Sequence, residues 1–488
     1  MADVKMKTAF FDRPARALSV LIAVLAVVWS LQCALCQSML GKDVVETVMW
    51  GAQWQWGHLK HPPLSGWIGY LFAVLSGYSD FAMYFAAQLF LAIGAFYVYR
   101  LGRLFLDEAE SAAGVLLLYL LFYYNPSSMK FCSHFVEAAF MPAMAFYIIR
   151  GARENRLADW LLAGFFTALG MLGKYSAGVI LPACLIYILA DRERRKCLVK
   201  PWLWCGVVLG LILLLPHLVW LAENDFCCLR HVERRVSDDT MPWYYFLEVA
   251  AVGIGPVLAE WAILWAAWLP CRKESMRKTL PRELVLAALL LTLVPAAVFT
   301  VIALSGGDVV LMWYSFLAGW TGLAAVGLFP MQISRKLFRN LWLLTVAYSV
   351  IMLAASTVDV LKKSRLRCHA DPAKIVKAVE SFYQKKYPGG KLPCIIGERW
   401  ICGVVQFYSP EHPHAFSESD PVSLKPVRAR IEREGAVLLG DPGKIRKWLP
   451  DLAKDVKFEY FEVEYQAPFG KLKTDEYYIA FYPGKGKK

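Results

Sequence analysis

Leu64-Ser65-Gly66-Trp67-Ile68-Gly69-Tyr70-Leu71-Phe72-Ala73-Val74-Leu75-Ser76-Gly77 is the apolar run whose reading sets the sidedness of all that follows it. As a helix, at ~1.5 Å per residue, it reaches about 21 Å, short of a ~30 Å hydrocarbon core. The run is therefore expected to lie along the membrane interface. Loop charges arbitrate. With 64–77 lying flat, the loops at 5–16, 100–103, 150–156, 192–200, 272–282 and 335–339 fall inside. Those loops carry twenty-two Lys and Arg, against seven in the short outer loops. If 64–77 spanned, eighteen of the twenty-two would move outside, against the positive-inside bias.

Eleven other apolar runs, from 17–38 to 340–360, are expected to span. The remaining runs are 81–99, 110–127, 134–149, 158–173, 175–190, 201–221, 242–269, 283–304 and 310–330. Composition agrees: mean hydropathy is +0.42, and 58% of residues are hydrophobic while 19% are charged. A soluble domain carries about a quarter charged residues. The formal charge of +13 resides in loops between apolar runs, with no basic, aromatic-interleaved domain, so nucleic acid is not an expected partner. The stretch Ala17–Cys36 is long enough to span and has no evident cleavage site, so it reads as a first span with the N-terminus inside. Asn125 precedes a proline and offers no glycosylation acceptor.

The expected fold is an α-helical polytopic membrane protein over residues 1–360, with about eleven spans plus interfacial helices. A soluble outer α/β domain is expected over 361–488. In it, patterning predicts a helix at Pro372–Lys386 and strands at Pro393–Gly397, Ala436–Leu439, 457–465 and 476–482. The basic linker Lys362–His369 reads as resting on headgroups. Of the twelve cysteines, Cys33, Cys36, Cys184 and Cys205 sit in apolar runs as small hydrophobes, and no zinc spacing recurs. Cys394 and Cys402 are candidates to pair in an oxidising compartment, which leaves Cys368 odd.

This topology puts loop 39–80, the turn at Lys174, loop 222–241 and the C-terminal domain on one outer face. Loop 39–80 reads Gly41-Lys42-Asp43-Val44-Val45-Glu46, then Trp50, Trp54, Trp56 and Gly57-His58-Leu59-Lys60-His61-Pro62-Pro63-Leu64. Asp43 and Glu46 share one face of a short helix among tryptophans. Carboxylates in a partly desolvated interfacial pocket suit a general base or a divalent-metal ligand. By spacing alone, a solvated acidic loop with an aromatic belt is the favoured account of them.

The order Asp43-x-x-Glu46, Trp-Gly-His-Leu-Lys-His-Pro-Pro-Leu, Trp67 resembles the first outer loop of the GT-C superfamily. It is most similar to the bacterial protein-mannosyltransferase-like family, which includes the lipid A aminoarabinose transferase and the Rgt-type galacturonosyltransferases. Lys130-Phe131 with Pro142, Met171-Leu172-Gly173-Lys174-Tyr175-Ser176 and Pro216-His217-Leu218-Val219-Trp220 extend the resemblance. In the C-terminal domain, Ile396-Gly397 and Phe407-Tyr408-Ser409-Pro410 continue it.

The resemblance implies an inverting glycosyltransferase. It would carry a sugar from a polyprenyl-phosphate donor to a glycolipid or glycan hydroxyl on the outer face of a bacterial inner membrane. Asp43 would be the general base, with Glu46 holding a metal or orienting the acceptor. Lys174, which interrupts an apolar stretch too long to span once, would bind the lipid phosphate with Tyr175; by itself it also reads as a snorkelling lysine. Arg230, Arg234 and Arg235, with His231, form a basic cluster suited to the lipid phosphate, an anionic acceptor or phospholipid headgroups. His61, His134, Glu137 and Trp54 would line the substrate pocket, His134 and Glu137 departing from the family's usual residues. Glu248, Glu260, Asp308, Trp313 and Tyr314 are weaker candidates, a solvated turn being the simpler account of Asp308. Two other functions fit the same features: a transporter or flippase of lipid-linked sugar, and a protein O-mannosyltransferase-like enzyme. A flippase would show two similar halves with broken helices, which the sequence lacks.

Overall fold

The computed structural model describes residues 10–121, 124–125, 129–237, 245–271, 276–277, 279–304, 317–363 and 367–484. Seven of its helices are long and apolar enough to cross a membrane, or eight if the bent pair Tyr175–Leu189 and Arg192–Val199 counts as one span. In chain order, the membrane half comprises α1 (Pro14–Cys36), α2 (Lys42–Ala52), α3 (Leu64–Leu75), α4 (Asp80–Gly102), α5 (Glu108–Leu118) and α6 (Ser133–Glu154). It continues with α7 (Leu157–Gly173), α8 (Pro201–Glu223), α9 (Cys227–Ser237), α10 (Tyr245–Trp268), α11 (Arg282–Leu304) and α12 (Arg335–Lys362).

The expected runs do not all become long helices. Run 110–127 yields the 11-residue α5, almost wholly buried, because its helix ends at Tyr119 and the chain turns. Run 158–173 yields the 17-residue α7, about 25 Å at ~1.5 Å per residue. Run 310–330 lies partly outside the described residues. The decisive stretch 64–77 is the short helix α3, 12 residues, with Leu71, Val74 and Leu75 exposed on one side.

Two ends of the helical body differ in chemistry. At one end, arginines of the predicted inside loops meet carboxylates: Arg150 pairs with Asp159, Arg277 with Glu110, and Arg153 and Arg194 both with Glu283. At the other end gather loop 39–80, the Lys174 turn, the segment after α8 and the whole C-terminal unit. Lys425 reaches Asn224 (3.5 Å), and Gln55 Nε2 donates to the Ser423 carbonyl (2.9 Å).

The C-terminal unit comprises α13 (Pro372–Lys386), β1 (Cys394–Gly397), α14 (Arg399–Tyr408), β2 (Ala415–Ser417), β3 (Ala436–Leu439), β4 (Glu459–Tyr465) and β5 (Lys473–Tyr482). Asp371 caps α13 by accepting from the Ala373 and Lys374 amides, and Pro372 occupies the first turn, where its missing N–H costs nothing. The sheet runs β2-β1-β3-β5-β4, parallel across β2-β1-β3 and antiparallel thereafter. Alternation along β1 sends Ile395 to the core shared with the membrane half, and Cys394 and Ile396 to a separate outer core. Cys402 packs in the first of these and Cys394 in the second. They lie on opposite faces of the sheet and both are free, which corrects the expected pairing.

Two close approaches lock the site in place. A Cβ on Gly51 would fall 2.0 Å from the Gly66 carbonyl, so α2 and α3 meet backbone to backbone. A Cβ on Gly403 would fall 2.9 Å from the Val45 side chain, which lets α14 dock directly on α2.

Candidate active site

Helix α2 starts after Gly41, and its first turn carries Asp43, where the helix dipole favours a carboxylate. Asp43 is exposed, while Glu46, one turn on, is 95% buried. Glu46 Oε1 accepts from Arg399 Nη1 (2.6 Å) and Lys60 Nζ (3.2 Å). Burial pushes the Glu46 carboxyl up and the Arg399 guanidinium pulls it back. A divalent ion at Glu46 would have to displace both cations. Among the described residues no three His, Cys, Asp or Glu side chains gather to hold one. The donor set at Asp43 and Glu46 does not fit a metal.

Helix α7 stops at Gly173. Lys174 adopts an extended backbone, and the chain resumes as a 3₁₀ turn, Tyr175–Ile180. This break swings the Lys174 side chain inward rather than to a headgroup surface, and it is 7% exposed. Its Nζ lies 3.0 Å from Glu137 Oε2 and 3.0 Å from His134 Nδ1, both on α6. An ammonium only donates, so Nδ1 of His134 carries no proton and the ring is neutral. Glu137, fully buried, also accepts from Ser176 Oγ through Oε1.

His61 packs edge-on to Trp50 (5.5 Å between centroids). Burial and nearby Lys174 push its imidazole down to about 3, so it is neutral. Asp43 acts electrostatically on Cys132, at the head of α6, and on Glu46. Tyr175 turns elsewhere: its hydroxyl meets His217 Nε2 (2.7 Å), while His217 Nδ1 meets the Trp56 carbonyl (2.5 Å). The carbonyl can only accept, so Nδ1 bears the proton and Nε2 accepts from Tyr175.

Asp43, His61, His134, Glu137 and Lys174 thus converge, with Glu46 on the next turn. Trp54 does not join them. It is 57% exposed, holds φ +48°, and stacks on Trp67 (6.0 Å), to which Trp56 adds an edge contact (4.8 Å). Such a backbone is uncommon for a bulky residue. Arg230 is exposed on α9, and the side chains of Arg234, Arg235 and Glu248 lie outside the described residues. Asp308, Trp313 and Tyr314 also lie outside them. Glu260 is buried on α10 and accepts from Thr321 Oγ1 (3.1 Å), away from this cluster.

Sequence reasoning missed the second layer. Arg399 comes from the C-terminal unit, 353 residues from its partner Glu46. Asp420 and Ser423, beyond β2, hold the loop before the Pro-Pro pair. Asp420 accepts from the Leu59 amide (3.3 Å) and from Ser423 Oγ (2.7 Å), and Ser423 Oγ meets His58 Nδ1 (3.3 Å). Burial pushes His58 down to about 3. The one local signal for order in this loop is the Pro62-Pro63 pair, whose fixed backbone sets how the chain enters α3.

Glu418, between β2 and Asp420, is buried, and burial with Glu398 nearby pushes its carboxyl up to about 7. Its ordinary value is 4.5, so between pH 4.5 and 7 the folded chain binds more protons than the unfolded one. Stability contributed here is complete below 4.5 and falls as pH rises through 7. Glu418→Gln is expected to remove that fall. The variant's stability advantage should grow by about 1–3 kcal/mol across the window, read as Tm in detergent at several pH values. A constant offset would contradict it.

Residues 60–220 match the family described as dolichyl-phosphate-mannose-protein mannosyltransferase. The lipopolysaccharide core galacturonosyltransferase RgtB of Rhizobium johnstonii is 27% identical over 219 residues, 44% of this chain and 44% of that protein. RgtA of the same organism is 28% identical over 170 residues, 34% of each chain. The chain thus spans less than half the length of these relatives. ArnT from Cupriavidus metallidurans, solved bound to undecaprenyl phosphate, superposes with a TM-score of 0.61 at 14% identity. That superposition covers 96% of this chain and 99% of ArnT, and shows a shared fold.

Proposed function

We propose that the chain is a membrane glycosyltransferase of the GT-C superfamily, in its protein-mannosyltransferase-like branch. It takes a sugar from a polyprenyl-phosphate donor and adds it, with inversion, to a hydroxyl of lipopolysaccharide or another surface glycan. The observation that carries the reading is an exposed carboxylate, Asp43, on the same side of the protein as a buried cation, Lys174, held by Glu137 and neutral His134.

Asp43 takes the proton of the acceptor hydroxyl as its oxygen bonds to the anomeric carbon. The anomeric carbon–phosphate oxygen bond breaks on the opposite face, and polyprenyl phosphate leaves. Lys174 and neutral His61 stabilise the departing phosphate, with Arg230 at the lipid side. His134 and Glu137 hold Lys174 in place. Glu46, through Arg399 and Lys60, fixes the wall along which the acceptor lies.

The same reading puts the protein in a bacterial inner membrane as a multi-pass enzyme, N-terminus in the cytoplasm. Residues 1–360 form the transferase, and 361–488 a periplasmic domain. The segregation of Arg150, Arg153, Arg194 and Arg277 to the end opposite Asp43 supports that orientation.

The test is a mass-spectrometric comparison of lipid A, core and polyprenyl-phosphate sugars in cells with and without the gene. Loss of one sugar from an outer glycan, with the donor accumulating, is expected. Loss of the sugar with the accumulated donor confined to the inner leaflet would replace the transferase by a flippase.

A further inference from the structure

Helices α1 and α12 are clamped together at two levels. Near the start of α1, Trp342 Nε1 donates to the Ala17 carbonyl (3.1 Å); near its end, Gln32 Nε2 donates to Thr357 Oγ1 (3.2 Å). Between the clamps lies a groove of about 300 Å³. Leu21, Leu25 and Trp29 form its buried floor, while Val20, Val24 and Val350 on its flanks are exposed. Apart from Ser349, the lining is aliphatic or aromatic. Val20 and Trp29 are nine residues apart, about 14 Å at ~1.5 Å per residue, the depth of one leaflet of a ~30 Å hydrocarbon core.

Helical spacing carries charge to one mouth of this groove. Arg16, Val20, Val24 and Val28 follow at steps of four along α1, and Arg339 stands three residues before Trp342 on α12. Arg13 and Arg335 stand one turn before them. Asp12 pairs with Arg335 (2.5 Å), and Glu108 accepts from the Ala15 amide (2.9 Å). Four arginines against these two carboxylates leave the mouth positive. Arg13, Arg16 and Arg339 are exposed and have no ion-pair partner among the described residues. Phe10 and Phe11 pack edge-on to Trp342 (5.9 and 5.6 Å between centroids) beside them. Aromatic rings favour the depth where headgroups meet chains.

We propose that the groove is a binding site for one anionic phospholipid, its acyl chain between α1 and α12 and its phosphate on Arg16 and Arg339. The apolar lining takes hydrocarbon, and the depth matches a chain confined to one leaflet. The positive mouth calls for a headgroup with net negative charge, as basic pockets between membrane helices do. This mouth is at the end of α1 opposite Asp43, so the site is separate from the one that handles the sugar donor and independent of sugar transfer. With the N-terminus in the cytoplasm, the lipid comes from the inner leaflet.

In the experiment the purified full chain in detergent is titrated with phosphatidylglycerol, or with phosphatidylcholine of the same acyl chains, and Tm is followed. Phosphatidylglycerol is expected to raise Tm saturably, as a ligand of the folded state does; phosphatidylcholine at the same concentration is not. Arg16→Gln/Arg339→Gln should weaken the apparent phosphatidylglycerol affinity about tenfold or more, the order of one or two lost charge-assisted contacts. Val24→Trp, which fills the groove and keeps every arginine, should weaken it as much. Arg192→Gln/Arg195→Gln, which removes two exposed arginines from another loop at the same end, should stay within twofold of wild type. The Tm of each variant without added lipid reports its fold. An equal response to the two lipids overturns the site. So does wild-type affinity in either groove variant, or an equal loss in Arg192→Gln/Arg195→Gln.

Discussion

Asp43→Asn loses sugar transfer by a factor of about 10² to 10⁴, the range for removing a general base, while the protein keeps its Tm and its binding of lipid phosphate. The side chain is exposed at the head of α2, so an amide there leaves no buried group unsatisfied. The packing of α2 on α3 and α14 involves Val45, Gly51 and their neighbours rather than Asp43. The loss therefore falls on chemistry and not on folding. It is read as kcat with donor and acceptor saturating. An Asp43→Asn enzyme within tenfold of wild type would remove Asp43 from the base role.

The second large effect is at Lys174. Glu137 is fully buried, and Lys174 is its cation. Lys174→Met leaves a carboxylate without its charge partner, which costs about 3–5 kcal/mol in buried pairs. That single variant loses both stability and transfer and so cannot separate the two roles. Lys174→Met/Glu137→Gln can. It replaces the buried pair with neutral groups of similar shape, and Ser176 still has an acceptor in the amide oxygen. Tm is expected to return to within a few degrees of wild type, while transfer stays down by at least about a hundredfold, the order of one lost charge-stabilising group. A double variant that is both stable and active would make Lys174 a structural residue only.

Much of this was legible in the chain. The outer loop, the Gly173-Lys174 break and the His134–Glu137 spacing on one helical face are local patterns, and local patterns survive folding. Helix α13 and strand β3 have the predicted bounds because a capping aspartate and a short, fully buried apolar run fix them. Less readable was what distant segments do to one another. Nothing near Glu46 announces Arg399, and nothing near His58 announces Asp420 or Ser423. Helix α14 and strand β2 were not among the elements that patterning predicts. Hydropathy also overstated lengths: run 110–127 is apolar because it is buried among helices, and the helix that begins it ends at Leu118. Trp54 was grouped with the pocket for its place in the loop, yet a left-handed backbone turns it outward to Trp67.

The most direct measurement is transfer by the purified chain in detergent micelles, where no membrane sides exist and movement across a bilayer has no meaning. Polyprenyl-phosphate-linked sugar and lipopolysaccharide core are mixed with wild-type protein or with Asp43→Asn, and the products are weighed by mass spectrometry. The account predicts an acceptor heavier by one sugar, with free polyprenyl phosphate in equal amount, from the wild type alone. Donor and acceptor both recovered unchanged from the wild type would contradict it.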